Sequence, residues 1–413
     1  ARLDHIARLG VSHVYLSPIA QAVPESSHGY DIVDHTVVRA EFGGAARFDA
    51  LLDELAARGM AAVIDHVPNH MASTRPDLNP FWWALLRDGR RSDADRWFDV
   101  EWAVAADREI LPVRGAPLDE VIADGHIAVD GDQIEVYGER RLPLRPDSPD
   151  GDLAEVLAAQ HYRLQHWREP ARNVRRFFTI DDLVAVRVDD PGVAAVVDTL
   201  PARYASHPGF GGVRIDHVDG LADPLGYLTA LRERLGDDLP IWVEKIVMPG
   251  EWLPGSWPVA GTTGYEFARS VDQVLIAAEA EPVFDAVWRA VSGDDRPFHD
   301  WEAAARREVV SGSLAPDLAR LSRVASVATG EPDVAAEVRE LTVGLDRYRT
   351  YLPVDDIDAA EALIASISDG PVAGAIRDAG DHPARIELRT RWQQLTGPVM
   401  AKGAEDRSFY RYL

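Results

Sequence analysis

The first 70 residues alternate between short apolar strands and a helix, and this pattern restricts the fold more than any other feature. The sequence predicts strands over 11–16 and 60–67 and a helix over 48–57, in which apolar residues share one face. Residues 1–9 resemble the end of an earlier helix. A strand, a helix and a second strand connected in this order form a right-handed parallel unit.

Two further strands, predicted over 213–217 and 241–245, are spaced like a second unit of the same kind. The second and third strands are separated by several times the length of such a unit, which indicates an inserted domain. Strands that alternate with helices and end in polar residues predict an α/β fold. We expect a (β/α)₈ TIM barrel that is incomplete in this chain. A large insertion should follow its third strand, and a helical insertion its fifth.

The expected domain organisation follows from these strands and from the helical pattern of the last third of the chain. In that part, residues 314, 318, 321, 324 and 327 are apolar and recur at helical spacing, which predicts a core-facing stripe. One helix is predicted within the first insertion, over 152–167. The predicted parts are barrel residues 1–70, an inserted domain 71–205, the catalytic strands 206–267, a mainly helical insertion 268–395, and a return to the barrel over 396–413.

Composition excludes several classes of function. The chain has 43 basic and 68 acidic residues and a net charge of −25, which disfavours nucleic acid and anionic membrane surfaces as partners. It has no cysteine, so disulfides, thiolate metal sites and a cysteine nucleophile are excluded. No apolar run is long enough for a membrane helix. The sequence indicates neither a cofactor nor a metal, and it leaves the oligomeric state open.

Four short segments carry polar residues at or near the predicted strand ends, where a barrel places its active site. Each segment alone is weak evidence, but four in the right order are much more specific. They read HGYD (28–31), DHVPNH (65–70), GVRIDH (212–217) and WVEK (242–245).

Asp216 and Glu244 form the most informative pair in these segments. Neighbouring strands lie about 4.8 Å apart, so carboxyls on adjacent strand tips fall near the roughly 5–5.5 Å separation of a retaining glycosidase pair. Arg214 precedes Asp216 by two residues and therefore shares its strand face, where a guanidinium favours the ionised carboxylate that a nucleophile needs. The alternative is a buried Arg–Asp ion pair with no catalytic role.

These segments resemble the signature regions of the α-amylase superfamily (glycoside hydrolase family 13). The resemblance implies that Asp216 is the nucleophile and Glu244 the acid/base, while Tyr30 stacks under the sugar at the cleaved bond. The other matching residues would bind that sugar or the carboxylates. They are Asp65, Asn69 and His70 in the first region, and Arg214 and His217 in the second.

Longer segments resemble the branch of this superfamily that forms maltooligosyl trehalose. They are residues 15–34, 175–188, 251–267, 347–352 and 396–412. The resemblance implies an isomerase, a (1→4)-α-D-glucan 1-α-D-glucosylmutase, that converts the reducing-end α-1,4 bond of a maltooligosaccharide to an α,α-1,1 bond by retaining double displacement. It also implies trehalose biosynthesis, a cytoplasmic location and no cofactor. A hydrolase or 4-α-glucanotransferase of the same superfamily is the alternative, and an inactive glucan-binding fragment is a second one.

The chain departs from the superfamily pattern in its third carboxylate. The only His-Asp step, at residues 299–300, lies in a predicted helix, and we expect the missing motif beyond residue 413, as in an internal fragment of a longer enzyme. Glu405 and Asp406 are weaker candidates. Residues 251–265 and the first insertion are candidates for a lid that excludes water. Six tryptophans could stack on sugars, although core packing is the better expectation for each: Trp82, Trp83, Trp102, Trp242, Trp252 and Trp257.

Overall fold

A computed structural model describes residues 2–354 and 356–412, the side chain of Tyr412 excepted. The chain divides into two compact units. The first comprises the described residues up to 217 together with 226–242 and 258–260. The second comprises residues 218–225, 243–257 and the described residues from 261 onward.

The chain up to residue 243 contains both strands and helices. Its strands are β1 (His13–Leu16), β2 (Ala20–Ala22), β3 (Ile32–Val38), β4 (Ala61–His66), β5 (His70–Ala72), β6 (Glu109–Arg114), β7 (Ile127–Asp130), β8 (Gln133–Val136), β9 (Arg140–Pro143), β10 (Tyr162–His166), β11 (Arg176–Phe177), β12 (Ile180–Ala185), β13 (Phe210–Ile215) and β14 (Ile241–Val243). Its α-helices are α1 (Leu3–Arg8), α2 (Gly44–Ala56), α3 (Pro80–Asp88), α4 (Leu118–Ala123), α5 (Leu153–Ala158), α6 (Pro191–Val197), α7 (Thr199–Tyr204) and α8 (Pro224–Leu235).

The main sheet of the first unit has the strand order β1-β4-β13-β14. Strands β1 and β13 both run parallel to β4. The predicted helix α2 precedes β4, but the connection from β1 also contains the antiparallel pair β2–β3, which was not predicted. Arg214 on β13 is the register partner of Asp65 on β4, so the two signature regions lie side by side. A Cβ at Gly212 would lie 2.6 Å from the carbonyl oxygen of Pro240, which explains why glycine is needed at this close approach of two strands.

The first insertion folds into small sheets. Strands β7, β8 and β9 form an antiparallel meander, and β10 pairs in parallel with β6. Strand β12 pairs antiparallel with both β11 and β5. Because β5 directly follows the end of β4, this last sheet joins the insertion to the edge where the signature residues lie.

The predicted helix over 152–167 is wrong in its second half. The helix ends at Ala158, and Tyr162–His166 form strand β10. The side chain of Gln160 donates to the carbonyl of Val156 at 2.6 Å and accepts from the backbone of Arg145, so it competes with further helical bonds. Tyr162 and Leu164 are buried on either side of exposed Arg163, a strand period that the helical reading overlooked.

From residue 261 onward the second unit is almost entirely helical, as predicted. After the short strand β15 (Gly261–Thr262) it contains α9 (Tyr265–Leu275), α10 (Glu281–Ser292), α11 (Phe298–Ser311), α12 (Ala315–Thr329), α13 (Ala335–Gly344), α14 (Ile357–Ile367), α15 (Pro371–Arg377), α16 (Pro383–Val399), a π-helix (Met400–Phe409) and α17 (Tyr410–Tyr412). The His-Asp step at 299–300 lies in α11, in agreement with the helical prediction. No helix among the described residues is both long and apolar enough to span a membrane.

The predicted apolar stripe of the second unit is largely confirmed. Leu314, Leu318 and Leu321 are buried in one hydrophobic cluster with residues of α13, α15 and α16, and Val324 packs against it. Val327 is 74% exposed, so its assignment to the stripe is wrong. A period of 3.6 residues rotates the last position of the pattern away from the core.

Candidate active site

Arg214 joins two carboxylates at the end of the parallel sheet in the first unit. Its Nη1 atom donates to Asp65 Oδ1 and to Asp216 Oδ1, both at 2.7 Å. All three residues are at least nine-tenths buried. Short charge-assisted bonds of this kind fix both partners in position. The expected placement of Arg214 beside Asp216 is therefore found, and Asp65 is a second partner of the same guanidinium.

Two tyrosine hydroxyls complete the shell around Asp65. Tyr15 donates to Oδ2 at 2.7 Å, and Tyr30 donates to the same oxygen. Burial and this hydrogen bond raise the pKa of the Tyr30 phenol, so it stays protonated as a donor. Tyr30 is thus held at the carboxylate cluster, while its predicted stacking under a sugar stays a prediction. Tyr15 had no predicted role, although it lies in a segment that carries the resemblance.

The chain changes direction directly after Asp216. Strand β13 ends at Ile215, and the Asp216 amide donates to the carbonyl of His66 at 2.8 Å. His217 then has φ = 47°, a left-handed conformation that is uncommon for a residue other than glycine. The positions of two functional candidates are therefore set by the end of one strand and by one unusual backbone conformation.

Aromatic rings from the first insertion enclose the histidines of the cluster. His217 meets Phe177 and Phe178 edge to face, with ring centroids 5.1 and 4.7 Å apart. His70 lies 4.2 Å from the Phe177 ring. Burial, followed by the nearby His217, lowers the pKa of His70 to about 3, so its imidazole is neutral over the physiological range.

Asn69 and Arg175 extend the polar part of this cluster. Asn69 is buried, and its side-chain oxygen accepts from Arg175 Nη1 at 3.3 Å. Arg175 also pairs with Asp99 at 3.3 Å. Prediction from the strand ends missed Arg175, Phe177 and Phe178. The resemblance of residues 175–188 was the available signal, but it gave them no role.

The second unit contains Glu244, which follows the end of β14 and is partly buried. The next residue, Lys245, is fully buried. Its Nζ lies 3.0 Å from Glu251 Oε1 and 3.5 Å from Asp219 Oδ2. This second cluster of charges surrounds the segment that carries the predicted acid/base, and the sequence did not predict it.

The two weaker candidates for a third carboxylate differ in their surroundings. Asp406 is about half exposed and pairs with Lys402 at 2.7 Å. Glu405 is more buried, and burial, with contributions from Asp406 and Glu244, raises the pKa of its carboxyl. Both lie on the π-helix, a form often found at functional sites. Glu405 thus has the surroundings of a largely buried carboxyl, whereas Asp406 has those of a surface ion pair.

The tryptophans and the possible metal ligands give less information about the candidate active site than the charged residues do. Of the six tryptophans considered, Trp82, Trp102 and Trp257 are buried, as core packing predicts, whereas Trp252 is 85% exposed. Within residues 2–354 and 356–412, no three His, Asp or Glu side chains are grouped so that they could hold a metal ion.

A family of known proteins matches the first part of the chain. Residues 1–99 match the family described as the catalytic domain of α-amylase. This match covers β1 to β4 and the first signature region, Asp65 to His70. The parallel sheet is therefore similar to part of the (β/α)₈ barrel of such domains, and the expected fold class is confirmed.

The whole chain is similar to maltooligosyl trehalose synthases. It is 37% identical to a protein of that name from Mycobacterium tuberculosis over 99% of this chain and 53% of the relative. The solved structure of maltooligosyltrehalose synthase from Arthrobacter ramosus matches 100% of this chain and 54% of its own, with 35% identity and a TM-score of 0.91. The crystal structure of a hypothetical maltooligosyl trehalose synthase from Sulfolobus tokodaii gives 28% identity and a TM-score of 0.83 over 98% of this chain and 53% of its own. The resemblance indicated by the sequence segments is confirmed, and the chain spans about half the length of these relatives.

Proposed function

We propose that this chain carries catalytic residues of an isomerase that converts the reducing-end α-1,4 bond of a maltooligosaccharide to an α,α-1,1 bond. The observation that carries the proposal is the buried Asp65–Arg214–Asp216 cluster at the strand ends of a fold matched by maltooligosyl trehalose synthases. The same resemblance makes a cytoplasmic location part of the proposal.

Asp216 is the nucleophile in this proposal. Its carboxylate attacks the anomeric carbon, the bond from that carbon to O4 of the reducing-end glucose breaks, and a covalent glycosyl ester forms. Arg214 supports this role because a buried guanidinium at 2.7 Å favours the ionised carboxylate. Asp65 accepts from the same Nη1 atom of Arg214 and from Tyr30, so the guanidinium that binds the attacking carboxylate is itself held in place.

Glu244 is the acid and then the base. It gives its proton to the departing O4 in the first step, and in the second it takes a proton from the anomeric hydroxyl of the released glucose. That hydroxyl attacks the anomeric carbon, the ester bond to Asp216 breaks, and the carboxylate returns. Two inversions at one carbon give net retention there, so the donor sugar stays α, and the α-anomer of the released glucose supplies the other half of the α,α bond. No cofactor and no net oxidation are required.

The remaining candidates bind the sugar at the cleaved bond in this proposal. Tyr30 supplies the stacking ring, and Asn69, His70 and His217 supply hydrogen bonds. A neutral His70 suits this task because it can accept as well as donate. Phe177 and Phe178 support it by keeping the polar groups in an apolar, water-poor surrounding.

The experiment measures the concentration of reducing ends before and after maltopentaose is treated with the natural gene product that contains this chain. The proposed mutase consumes reducing ends and forms a nonreducing product. A hydrolase would create reducing ends, and a 4-α-glucanotransferase would conserve them. Asp216→Asn should abolish the change, whereas Asp294→Asn, in an exposed pair with Arg296, should retain it. An increase in reducing ends, or full activity in Asp216→Asn, would contradict the proposal.

A further inference from the structure

Lys245 is a fully buried cation next to the proposed acid/base in the chain. Its ammonium group pairs with Glu251 at 3.0 Å and with Asp219 at 3.5 Å, and it donates to the carbonyl of Ile246 at 3.0 Å. The rings of Tyr348 and Tyr351 lie with their centroids 5.8 Å from the same nitrogen. An unpaired ammonium at this depth would be strongly unfavourable, so these partners hold it in one place.

The partners of Lys245 are themselves fixed. Tyr351 donates its hydroxyl to Asp219 Oδ1. Arg349 is buried, and its Nη1 donates to the carbonyls of Asp219 at 2.7 Å and Leu221 at 2.5 Å. Glu251 Oε2 accepts from the amide of Met248 at 2.9 Å. We call these residues the Lys245 cluster: Asp219, Lys245, Glu251, Tyr348, Arg349 and Tyr351.

The Lys245 cluster joins three segments of the second unit, residues 218–225, 243–257 and 347–352. Strand β14 ends at Val243, whose carbonyl accepts from the amide of Thr263 at 3.0 Å. Glu244 lies just past that strand end, in a segment without regular secondary structure. The strand therefore fixes the chain on one side of Glu244, and buried Lys245 fixes it on the other.

We propose that Lys245 is a positioning residue for Glu244, an inference that rests on the proposed function. An acid/base that serves two successive steps must meet first O4 and then the anomeric hydroxyl, and a misplacement of about 1 Å can lower the rate about 10²-fold. Asp219 and Glu251 balance the charges of Lys245 and Arg349, so the cluster can be rigid without adding net charge beside Glu244. The opposing view is that Lys245 contributes only to stability.

Lys245→Met separates the two views because it removes the ammonium and keeps most of the buried stem. If Lys245 positions Glu244, kcat on maltopentaose should fall about 10²-fold while KM changes little. The first-turnover release of fluoride from α-maltosyl fluoride should be nearly unchanged, since this leaving group needs no proton. Glu244→Gln should give the same division between the two substrates, and Arg289→Met, a half-exposed arginine paired with Asp285, should behave as wild type.

Glu251→Gln provides a second test if Lys245→Met does not fold. It keeps the shape of the side chain and the lysine, removes one ion pair, and should give a smaller loss with the same dependence on the leaving group. Equal loss on both substrates, or no loss on either, would overturn the positioning role. A wild-type protein that forms no α,α-1,1 product would instead refute the proposed function, so the two failures are distinguishable.

Discussion

Each compact unit buries a cation between two carboxylates, but the two clusters are built from different parts of the chain. In the first unit Arg214 donates to Asp65 and Asp216 from the ends of paired strands. In the second unit Lys245 lies between Asp219 and Glu251, in segments outside the strands and α-helices. In both clusters a tyrosine hydroxyl donates to one of the carboxylates.

The difference lies in how tightly the cation fixes its partners. Arg214 makes two bonds of 2.7 Å from one nitrogen, whereas the two ion pairs of Lys245 measure 3.0 and 3.5 Å. Guanidinium is a planar donor suited to carboxylates, and ammonium is a compact point charge. The first cluster therefore suits the orientation of a reacting group, and the second suits the anchoring of chain segments around one.

Arg214→Met should have the largest effect and should distinguish the clusters most clearly. It leaves two buried carboxylates without their cation, so we expect a loss of about 3–5 kcal/mol in the free energy of unfolding. We also expect a fall of about 10³-fold in activity on maltopentaose and on α-maltosyl fluoride alike. Urea unfolding and both assays check this. A loss confined to maltopentaose would show that Arg214 does not serve the nucleophile.

Glu244→Gln should affect chemistry with little change in stability. Loss of the acid should slow reaction of maltopentaose about 10²–10⁴-fold, because O4 is a poor leaving group without a proton. Release of fluoride from the activated substrate should continue. Parallel measurement of the two substrates decides the role, and equal slowing on both would count against Glu244 as the acid.

Removal of one tyrosine hydroxyl from each cluster should lower the free energy of unfolding less than Arg214→Met does, and by different amounts in the two clusters. Tyr351→Phe deprives buried Asp219 of a hydroxyl donor and should lower the free energy of unfolding by about 1.5–3 kcal/mol. Tyr15→Phe should lower it less, since Asp65 keeps Arg214 and Tyr30 and the Tyr15 ring is 58% exposed. Urea denaturation of both variants measures the difference, and the reverse order would contradict the comparison.

Acid should weaken the first unit more than the second. Burial lowers the pKa of His70 to about 3 and holds that of His35 well below 6.5, whereas His299 and His382 in the second unit are exposed. The unfolded chain therefore takes up protons first as the pH falls below 6.5. The contribution of each neutral histidine to the free energy of unfolding is complete above pH 6.5. It decreases by up to about 1.4 kcal/mol for each pH unit below that value. Hydrogen exchange at pH 7 and pH 5 should show faster opening in the first unit, and equal change in both would contradict the assignment.

The contrast between the clusters also explains what the sequence could predict. Asp65, Arg214 and Asp216 follow from local patterns, since strand ends are visible in sequence and side chains alternate along a strand. Asp219, Lys245 and Glu251 lie outside the strands and α-helices, so no strand or helix periodicity in the sequence relates them. The strand Tyr162–His166 was missed for a different reason, because its alternation of buried and exposed residues is short and was read as part of a helix.

Covalent labelling can show which carboxylate of the chain is the nucleophile. The natural gene product, carrying Glu244→Gln to slow release, would be incubated with a fluorinated glucosyl fluoride, digested and analysed by mass spectrometry. We expect one glycosyl adduct on the peptide that contains Asp216, and none when Asp216→Asn is added. An adduct on Asp65 or Glu405, or one that persists without the Asp216 carboxylate, would contradict it.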